Sequence, residues 1–213
     1  MNTGTGAQGA GLRVGLTGGI ATGKSVVAEV FREAGAFVQD ADSVGHELME
    51  PGTPAHAEIV QAFGEEVVAP DGRIDRKRLG ARIFADAGER SKLNTILHPR
   101  ILAEAGRRAG RYLLEHPGGI AVTQAALLLE AGAAQYFDRI VLTECDARTQ
   151  RARLVARDGI PETEADRRIA AQGAASEKKT FAHLVIDTSG TIEQTRKRAQ
   201  QAFETLRRDK ERA

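Results

Sequence analysis

The sequence is poor in cysteine and aromatic residues, and it has no long apolar run. Cys145 is the one cysteine among 213 residues, tryptophan is absent, and aromatic residues make up 4% of the chain. A lone cysteine excludes an internal disulfide and a cysteine-cluster zinc site, and it suits a reducing cytosol. The longest apolar run, residues 125–129, is far shorter than the roughly 20 residues that a membrane helix needs. We therefore expect a cytoplasmic protein with no membrane segment.

The charges are nearly balanced, with 30 Lys and Arg against 29 Asp and Glu and a net charge of +1. This balance gives no support to a nucleic-acid or membrane-surface partner, so local basic clusters must meet any anionic ligand. The length suits one α/β domain with insertions. For the oligomeric state, we expect a monomer.

Residues 1–11 carry no charged side chain and no apolar segment. We expect them to form a flexible tail. Gly4, Gly6 and Gly9 spell G-x-G-x-x-G, but no strand precedes them, so a dinucleotide site is disfavoured there.

Residues 18–25 match the phosphate-binding pattern G-x-x-x-x-G-K-S at every fixed position. Residues 12–17 have the pattern of a buried strand, and apolar residues recur at helical spacing after the loop. The N–H groups of such a loop, with the positive end of the helix dipole, bind the phosphates of a nucleoside triphosphate. The alternative is a glycine-rich turn that only links a strand to a helix.

Two positions of this phosphate loop have an expected role in binding the triphosphate of a nucleotide. Lys24 is a catalytic candidate that neutralises the β- and γ-phosphates, and the Ser25 hydroxyl is a candidate ligand of Mg²⁺. The expected ATP-binding residues of the loop are Gly18, Gly19, Ile20, Ala21, Thr22, Gly23, Lys24 and Ser25.

Asp40 and Asp42 follow a second predicted strand at residues 36–39. Ligands bind at the carboxyl ends of the strands in doubly wound sheets, so both carboxylates are candidates for the chemistry. One can accept a proton from an attacking hydroxyl, and the other can hold Mg²⁺ directly or through water. The alternative is a helix cap, for which Asp42 or Ser43 is suitable.

Residues 51–116 contain amphipathic helical stretches, such as 55–63 and 79–84, and no strand pattern. We expect a helical insertion between two strands. By spacing alone, His98 is a structural histidine that precedes a helix-breaking Pro99. A local basic cluster is interpreted as a solvated face: Arg73, Arg76, Lys77 and Arg78.

Two further strands are predicted at residues 120–123 and 139–143. Neither ends in the aspartate that holds Mg²⁺ in many phosphate-loop enzymes. We therefore expect the metal to depend on Ser25, the phosphates and the two aspartates, Asp40 and Asp42. The last strand is predicted at residues 183–187.

Several arginines lie on a predicted helix that Asp146 opens: Arg148, Arg151, Arg153 and Arg157. Arginines that approach a phosphoryl group from outside the loop neutralise its charge, and hinged segments that carry them close as lids. Residues 158–182 begin with a helix-breaking turn and return through another helix, so they have the pattern of a lid. The alternative is a solvated basic face.

An ordered set of short motifs spans about residues 12–200 of the chain. Besides the phosphate loop, the set consists of Gly15-Leu-Thr-Gly-Gly-Ile, Asp40-Ala-Asp42 with His46, Gly72-Arg73-Ile74-Asp75-Arg76, Leu97-His98-Pro99-Arg100-Ile101, Leu127-Leu128-Leu129-Glu130, Arg157-Asp158-Gly159, Arg168-Ile169-Ala170-Ala171-Gln172 and Val185-Ile186-Asp187. The loop alone is shared by many unrelated enzymes, but this ordered set resembles the dephospho-coenzyme A kinase family.

The resemblance implies an α/β fold, with a P-loop kinase-type three-layer α/β/α core around a parallel sheet, a helical substrate-binding insertion and a lid. It implies ATP-dependent phosphorylation of the ribose 3′-hydroxyl of dephospho-coenzyme A, the last step of coenzyme A synthesis, with ATP, dephospho-coenzyme A and Mg²⁺ as ligands. The implied regions are a nucleotide-binding core at 12–50, 117–157 and 183–213, a coenzyme A-binding region at 51–116, and a lid at 158–182.

The resemblance also implies residue roles. Asp42 matches the catalytic base and Arg157 a nucleotide-contacting arginine. His98 lies in a segment that resembles the family's substrate region, which reverses its structural interpretation. The implied substrate-binding residues are Asp40, Asp42, His46 and His98.

The chain departs from the family pattern at three positions. Ala126 stands where Pro is usual, His183 where Asp is frequent, and Thr188 where Asn is usual. These departures affect the expected loop geometry and adenine contacts, but none touches the phosphate loop or Asp42.

Three other functions compete with this interpretation. A GTPase switch is disfavoured for two reasons. Thr143-Glu144-Cys145-Asp146 lacks the lysine of the guanine-binding motif T-K-x-D. The D-x-x-G sequence at Asp187 comes after that segment, whereas the switch segment of a GTPase comes before it. Another P-loop kinase, acting on nucleoside monophosphates or shikimate-like acids, is the nearest alternative. A non-catalytic nucleotide-binding module comes third.

Overall fold

The computed structural model describes residues 11–172 and 175–211. The strands are β1 (Leu12–Gly18), β2 (Phe37–Asp40), β3 (Ile120–Gln124), β4 (Arg139–Glu144) and β5 (Leu184–Asp187). The helices are α1 (Lys24–Glu33), α2 (Ala41–Leu48), α3 (Pro54–Phe63), α4 (Arg76–Ala85), α5 (Ala87–Glu115), α6 (Ala147–Asp158), α7 (Glu162–Ala170), α8 (Ala175–Lys179) and α9 (Ile192–Glu211). The predicted tail, residues 1–11, lies outside the described residues except for Gly11.

The strands form one sheet in the order β2-β3-β1-β4-β5. β1 runs parallel to both of its neighbours, with Leu12 opposite Ile120 and Val14 opposite Arg139, and β4 runs parallel to β5. Every residue of β1 except Arg13 is buried, as expected of a strand covered on both faces. The predicted strands and the α/β fold are confirmed.

The chain divides into two compact units, and the first consists of the residues up to Gln39 and from Arg108 onwards. This unit contains the sheet core. Val14 and Leu16 of β1 are fully buried together with Phe31 of α1. Phe31 also packs against Phe203 of α9, with ring centroids 5.4 Å apart. α1 and α9 therefore pack against the sheet and against each other in this unit.

The second unit, Asp40–Arg107, is helical and has its own apolar core. The members of that core are Ala55, Ile59, Phe63, Val67, Ile74, Leu79, Leu93 and Leu97. The helices predicted at 55–63 and 79–84 are confirmed by α3 and α4. The Asp75 carboxylate caps α4 by accepting from Lys77 N and Arg78 N, at 3.0 Å each.

The prediction that Pro99 breaks its helix is wrong, because α5 continues through it. Proline removes one backbone N–H and so leaves a helical carbonyl without its partner. The apolar face of α5 compensates: Leu93 and Leu97, just before the proline, are buried in the core of the second unit. Pro99 itself is exposed, so its ring lies on the solvent side of the helix.

Candidate active site

The phosphate loop joins β1 to α1, and glycine is required at both of its ends. A Cβ at Gly18 would lie 2.2 Å from Thr143 Oγ1 and 2.5 Å from Thr143 O. Gly23 caps α1 at φ +79°, in the left-handed region that side chains disfavour. Ala21, between them, is also left-handed at φ +59°. A loop with larger residues at its two glycine ends could not adopt this backbone.

The Lys24 side chain folds over the loop that precedes it. Its Nζ donates to Gly18 O and Gly19 O, at 2.9 Å each. An ammonium group is thereby held beside the backbone of residues 18–25. A fixed positive charge in this position suits a bound polyphosphate.

Buried threonines support the loop from the sheet side. The Thr22 hydroxyl donates to Gly19 O at 2.8 Å and lies 2.8 Å from Thr143 Oγ1. Thr188 Oγ1 donates to Thr22 O at 3.0 Å. Thr143 and Thr188 were not predicted as supporting residues, since their contacts join positions 121 and 166 apart in sequence. Thr188 was recognised only as a departure from the family pattern.

A cavity of about 420 Å³ opens beside the loop. Among its lining residues are Gly19, Thr22, Cys145, Gln150, Gln172 and Lys178. Burial raises the pKa of the Cys145 thiol, and this outweighs the opposite effects of Arg153 and Thr188. The thiol is therefore protonated and neutral at pH 7.

Two of the arginines of α6, Arg151 and Arg153, have hydrogen-bond partners on neighbouring segments. Arg151 Nε donates to Asp166 at 2.6 Å. Arg153 donates to Thr188 O at 2.7 Å and to Gly190 O at 3.4 Å. Arg153 therefore holds the loop after β5 by hydrogen bonds to two of its carbonyl oxygens.

Arg157, the predicted ATP contact, ends α6 in an exposed position. Arg157 Nε donates to Asp158 Oδ1 at 2.7 Å, and Arg168 Nη1 donates to Asp158 Oδ2 at 3.1 Å. The hydrogen bond that Arg157 donates to Asp158 raises the pKa of the Arg157 guanidinium, and the same bond lowers the pKa of the Asp158 carboxyl. The charged guanidinium is thus held beside the turn that precedes α7.

The segment after α6 is attached to the sheet by lysines of α8. Lys178 is nearly buried, and its Nζ lies 2.7 Å from Glu130 Oε1. This pair is held by charge without the alignment of a hydrogen bond. Lys179 Nζ lies 2.8 Å from Glu144 Oε2. Two ion pairs therefore connect α8 to the loop after β3 and to the end of β4.

The predicted substrate-binding residues lie in the second unit. Asp40 is the last residue of β2 and caps α2, since its Oδ1 accepts from Asp42 N at 2.8 Å and Ser43 N at 3.1 Å. The cap is therefore Asp40 and not Asp42 or Ser43. Asp42 and His46 are exposed and lie four positions apart, on one face of α2. His98 is partly exposed on α5.

Ser25 is exposed in the first turn of α1, directly after Lys24. Among residues 11–172 and 175–211, no group of three or more His, Cys, Asp or Glu side chains is arranged to hold a metal ion.

In the same part of the chain, every helix is too short or too polar to cross a membrane.

A family model described as dephospho-CoA kinase matches residues 12–194. The chain belongs to this family. A dephospho-CoA kinase from Geobacter sulfurreducens is 46% identical over 191 residues, which cover 89% of this chain and 96% of that protein. One from Leifsonia xyli is 43% identical over 194 residues, which cover 91% and 98%. The two dephospho-CoA kinases thus match almost end to end.

Solved structures also resemble this dephospho-CoA kinase family member. A Thermus thermophilus protein has a TM-score of 0.77 at 26% identity, covering 92% of this chain and 97% of that one. A dephospho-CoA kinase from Campylobacter jejuni has a TM-score of 0.69 at 21% identity, covering 92% and 98%. A shikimate kinase from Acinetobacter baumannii has a TM-score of 0.54 at 15% identity, covering 94% and 95%. The last two likenesses concern the fold alone, which is that of a P-loop kinase.

Proposed function

We propose that this chain transfers the γ-phosphoryl group of ATP to the ribose 3′-hydroxyl of dephospho-coenzyme A, giving coenzyme A and ADP. This is the last step of coenzyme A biosynthesis. The observation that carries the proposal is the family match over residues 12–194. That match includes the phosphate loop, both aspartates and the arginine at the end of α6.

On the ATP side, residues 18–25 bind the triphosphate through backbone N–H groups, and Lys24 neutralises its β- and γ-phosphates. Support comes from the position of Lys24 Nζ, 2.9 Å from two loop carbonyl oxygens. Arg157 contacts the nucleotide when it leaves Asp158. A guanidinium that stays charged and lies at a hinge is suited to such an exchange of partners.

On the acceptor side, Asp42 accepts or orients the proton of the 3′-hydroxyl. Its carboxylate is exposed in the first turn of α2, while that of Asp40 caps the same helix. Support for this division of roles is that capping already uses the Asp40 oxygen that accepts two backbone N–H groups. Asp40, Asp42, His46 and His98 contribute to binding dephospho-coenzyme A.

Mg²⁺ fits the residues present, since hydroxyl and carboxylate oxygens are the ligands it prefers and it usually keeps several waters. The exposed Ser25 hydroxyl would hold it directly, and Asp40 through water. When bound, the ion neutralises charge on the β- and γ-phosphates.

The functional regions follow from these roles. Residues 12–50, 117–157 and 183–213 form the nucleotide-binding core, residues 51–116 the coenzyme A-binding region, and residues 158–182 the lid. We expect a cytoplasmic monomer that binds no nucleic acid.

The test is ADP release measured with dephospho-coenzyme A and, separately, with AMP, shikimate and gluconate. We expect ADP only with dephospho-coenzyme A, and a coenzyme A product phosphorylated at the 3′-position. Faster release with another acceptor would favour a different P-loop kinase. Binding of ATP without transfer to any acceptor would favour a non-catalytic module.

A further inference from the structure

Two glutamine side chains hold Ile20 through the two peptide groups that flank its Cα. Gln150 Nε2, on α6, donates to Ile20 O at 2.8 Å. Ile20 N donates to Gln172 Oε1, just after α7, at 2.7 Å. A backbone N–H can only donate and a carbonyl can only accept, so the partners fix the orientation of each amide. The N–H of the Gly19–Ile20 peptide and the carbonyl of the Ile20–Ala21 peptide are therefore both satisfied by glutamine side chains.

The same two amides lie closely against Gly19. A Cβ at Gly19 would lie 3.0 Å from Gln150 Nε2 and 3.3 Å from Gln172 Oε1. The φ of Gly19 is outside the left-handed region, so its backbone could accept a side chain. A side chain at this position would therefore require both glutamine amides to shift by a few tenths of an ångström.

Ala21, the residue after Ile20, has an unfavourable backbone conformation. Ala21 is left-handed at φ +59°, and it is the one residue other than glycine with positive φ in the described ranges 11–172 and 175–211. Such a conformation persists where the surroundings fix it, and it recurs at functional sites. Gln150 restrains the Ile20–Ala21 peptide, which leads directly into Ala21, and Gln172 restrains the Gly19–Ile20 peptide before it.

We propose that Gln150 and Gln172 are positioning residues that prevent the Ile20–Ala21 and Gly19–Ile20 peptides, respectively, from turning over, and so align the phosphate loop for transfer. Turning either peptide over would reverse the directions of its N–H and its carbonyl oxygen within the loop. A carbonyl oxygen facing a phosphate repels it, whereas an N–H binds it. This inference rests on the proposed kinase function.

Kinetics of leucine variants test the positioning role. Gln150→Leu and Gln172→Leu remove the hydrogen bond with little change of size. Each should lower kcat about tenfold, the effect of one lost hydrogen bond, with less change in KM for ATP. Gln201→Leu, at an exposed position on α9, is the matched control and should behave as the parent. Parental kcat in both clamp variants would overturn the proposal.

Glutamate variants distinguish the donor from the acceptor. Gln172→Glu keeps an oxygen that accepts from Ile20 N, so kcat should stay within about threefold of the parent, although the new charge raises KM for ATP. Gln150→Glu sets a carboxylate against Ile20 O, so it should lose more kcat than Gln150→Leu. Lower pH should restore part of that loss, because a protonated carboxyl can donate. Equal kcat effects of the two glutamates would contradict the assigned roles.

A double-mutant cycle tests whether Gly19 and Gln150 act through the same contact. Gly19→Ala should lower kcat in the parent, since its Cβ displaces the Gln150 amide. The loss should be at least about threefold smaller in a Gln150→Ala background, because the displaced group is gone. Additive losses would show that the contact does not carry the effect.

Amide hydrogen exchange provides a readout without catalysis. Exchange at Ile20 N should be at least about tenfold faster in Gln172→Leu than in the parent or Gln201→Leu, with an unchanged Tm. Unchanged exchange would overturn the clamp. A parent that is inactive with dephospho-coenzyme A would overturn the proposed function alone, since exchange would still decide on the clamp.

Discussion

At the residue scale, the Lys24 ammonium is a charge held against the loop backbone. Its side chain is partly exposed and donates to two loop carbonyl oxygens, whereas the apolar core nearby is made by Val27, Val30 and Phe31. We therefore expect function and folding to depend on different side chains in the same helix.

Lys24→Ala should therefore remove activity and leave the fold intact. We expect kcat to fall by about 10²- to 10³-fold, the usual effect of losing one preorganised charge or donor at a transition state. ADP release and thermal unfolding measure the two properties. Lys197→Ala, exposed on α9, is the control. Near-parental ADP release by a folded Lys24→Ala protein would contradict the site.

The aspartates should be separable by substitution to asparagine. Asp42→Asn keeps the shape but loses the basic oxygen, so kcat should fall by about 10²- to 10⁴-fold. The lower end is expected if the transition state is loose and the hydroxyl is barely deprotonated. ATP affinity should change much less. Turnover and ATP binding across a magnesium titration measure both effects.

Asp40→Asn is the comparison for that experiment. Asparagine is as good a helix cap as aspartate, so the bonds to Asp42 N and Ser43 N are kept and α2 stays folded. Loss of the charge should weaken magnesium binding, and added magnesium should restore part of the activity. Recovery of Asp42→Asn in the same way would mean that the base has been assigned to the wrong carboxylate.

At the element scale, the Arg157 guanidinium at the end of α6 pairs with Asp158, and in the proposed function it pairs with the nucleotide instead. Arg157→Ala should lower kcat or ATP affinity by about tenfold or more, since a charged hydrogen bond to the nucleotide is lost. The Arg157–Asp158 pair is exposed, so stability should change little. Kinetics and Tm of Arg157→Ala are compared with those of Arg207→Ala, exposed on α9. Equal kinetic effects would remove the special role of Arg157.

The continuation of α5 through Pro99 predicts a stabilising substitution. Pro99→Ala supplies the missing N–H to the helix and should raise the free energy of unfolding by about 1–3 kcal/mol. Urea unfolding measures the change, with Pro51→Ala, exposed outside any helix, as the control. A lower stability would show that the helix is adapted to the proline ring.

The elements also show which features a sequence can predict. The strands at 12–17, 120–123 and 139–143 were predictable because continuous apolar runs are typical of buried parallel strands. Pro99 was misjudged, since tertiary packing outweighs a local preference. The contacts of Thr188, Gln150 and Gln172 had no local signal, because they join distant positions. The roles of Asp42, His46, His98 and Arg157 stay predictions.

At the scale of the whole molecule, several carboxyl groups favour folding only when ionised. Bonds from Ser189 and the charge of Arg198 lower the pKa of Asp187, and bonds from Thr149 lower that of Asp146. Arg157 and Arg168 likewise lower the pKa values of Asp158 and Glu164. A lowered pKa means that the folded state binds protons less readily than the unfolded state.

Stability should therefore be lost in acid. The contribution of these groups is complete above their unfolded pKa values, about 4, and disappears as pH falls through the lower folded values. Tm measured from pH 7 to pH 3 should decrease most steeply below about pH 4. Asp187→Asn should have a lower Tm at pH 7 and a smaller decrease in acid, and Glu193→Gln is the control. An identical acid profile for Asp187→Asn would contradict the role of this group.

The insertion of residues 40–107 between two parts of the sheet affects the order in which a growing chain can fold. β1 must wait for its partners, because Leu12 pairs with Ile120 and Val14 with Arg139. The helical unit, in contrast, is contiguous, and its core is complete once Leu97 has been made. Local contacts form faster than contacts between distant positions. On a ribosome, the helical unit therefore gains structure first, and the phosphate loop acquires its support only after Thr188 has emerged.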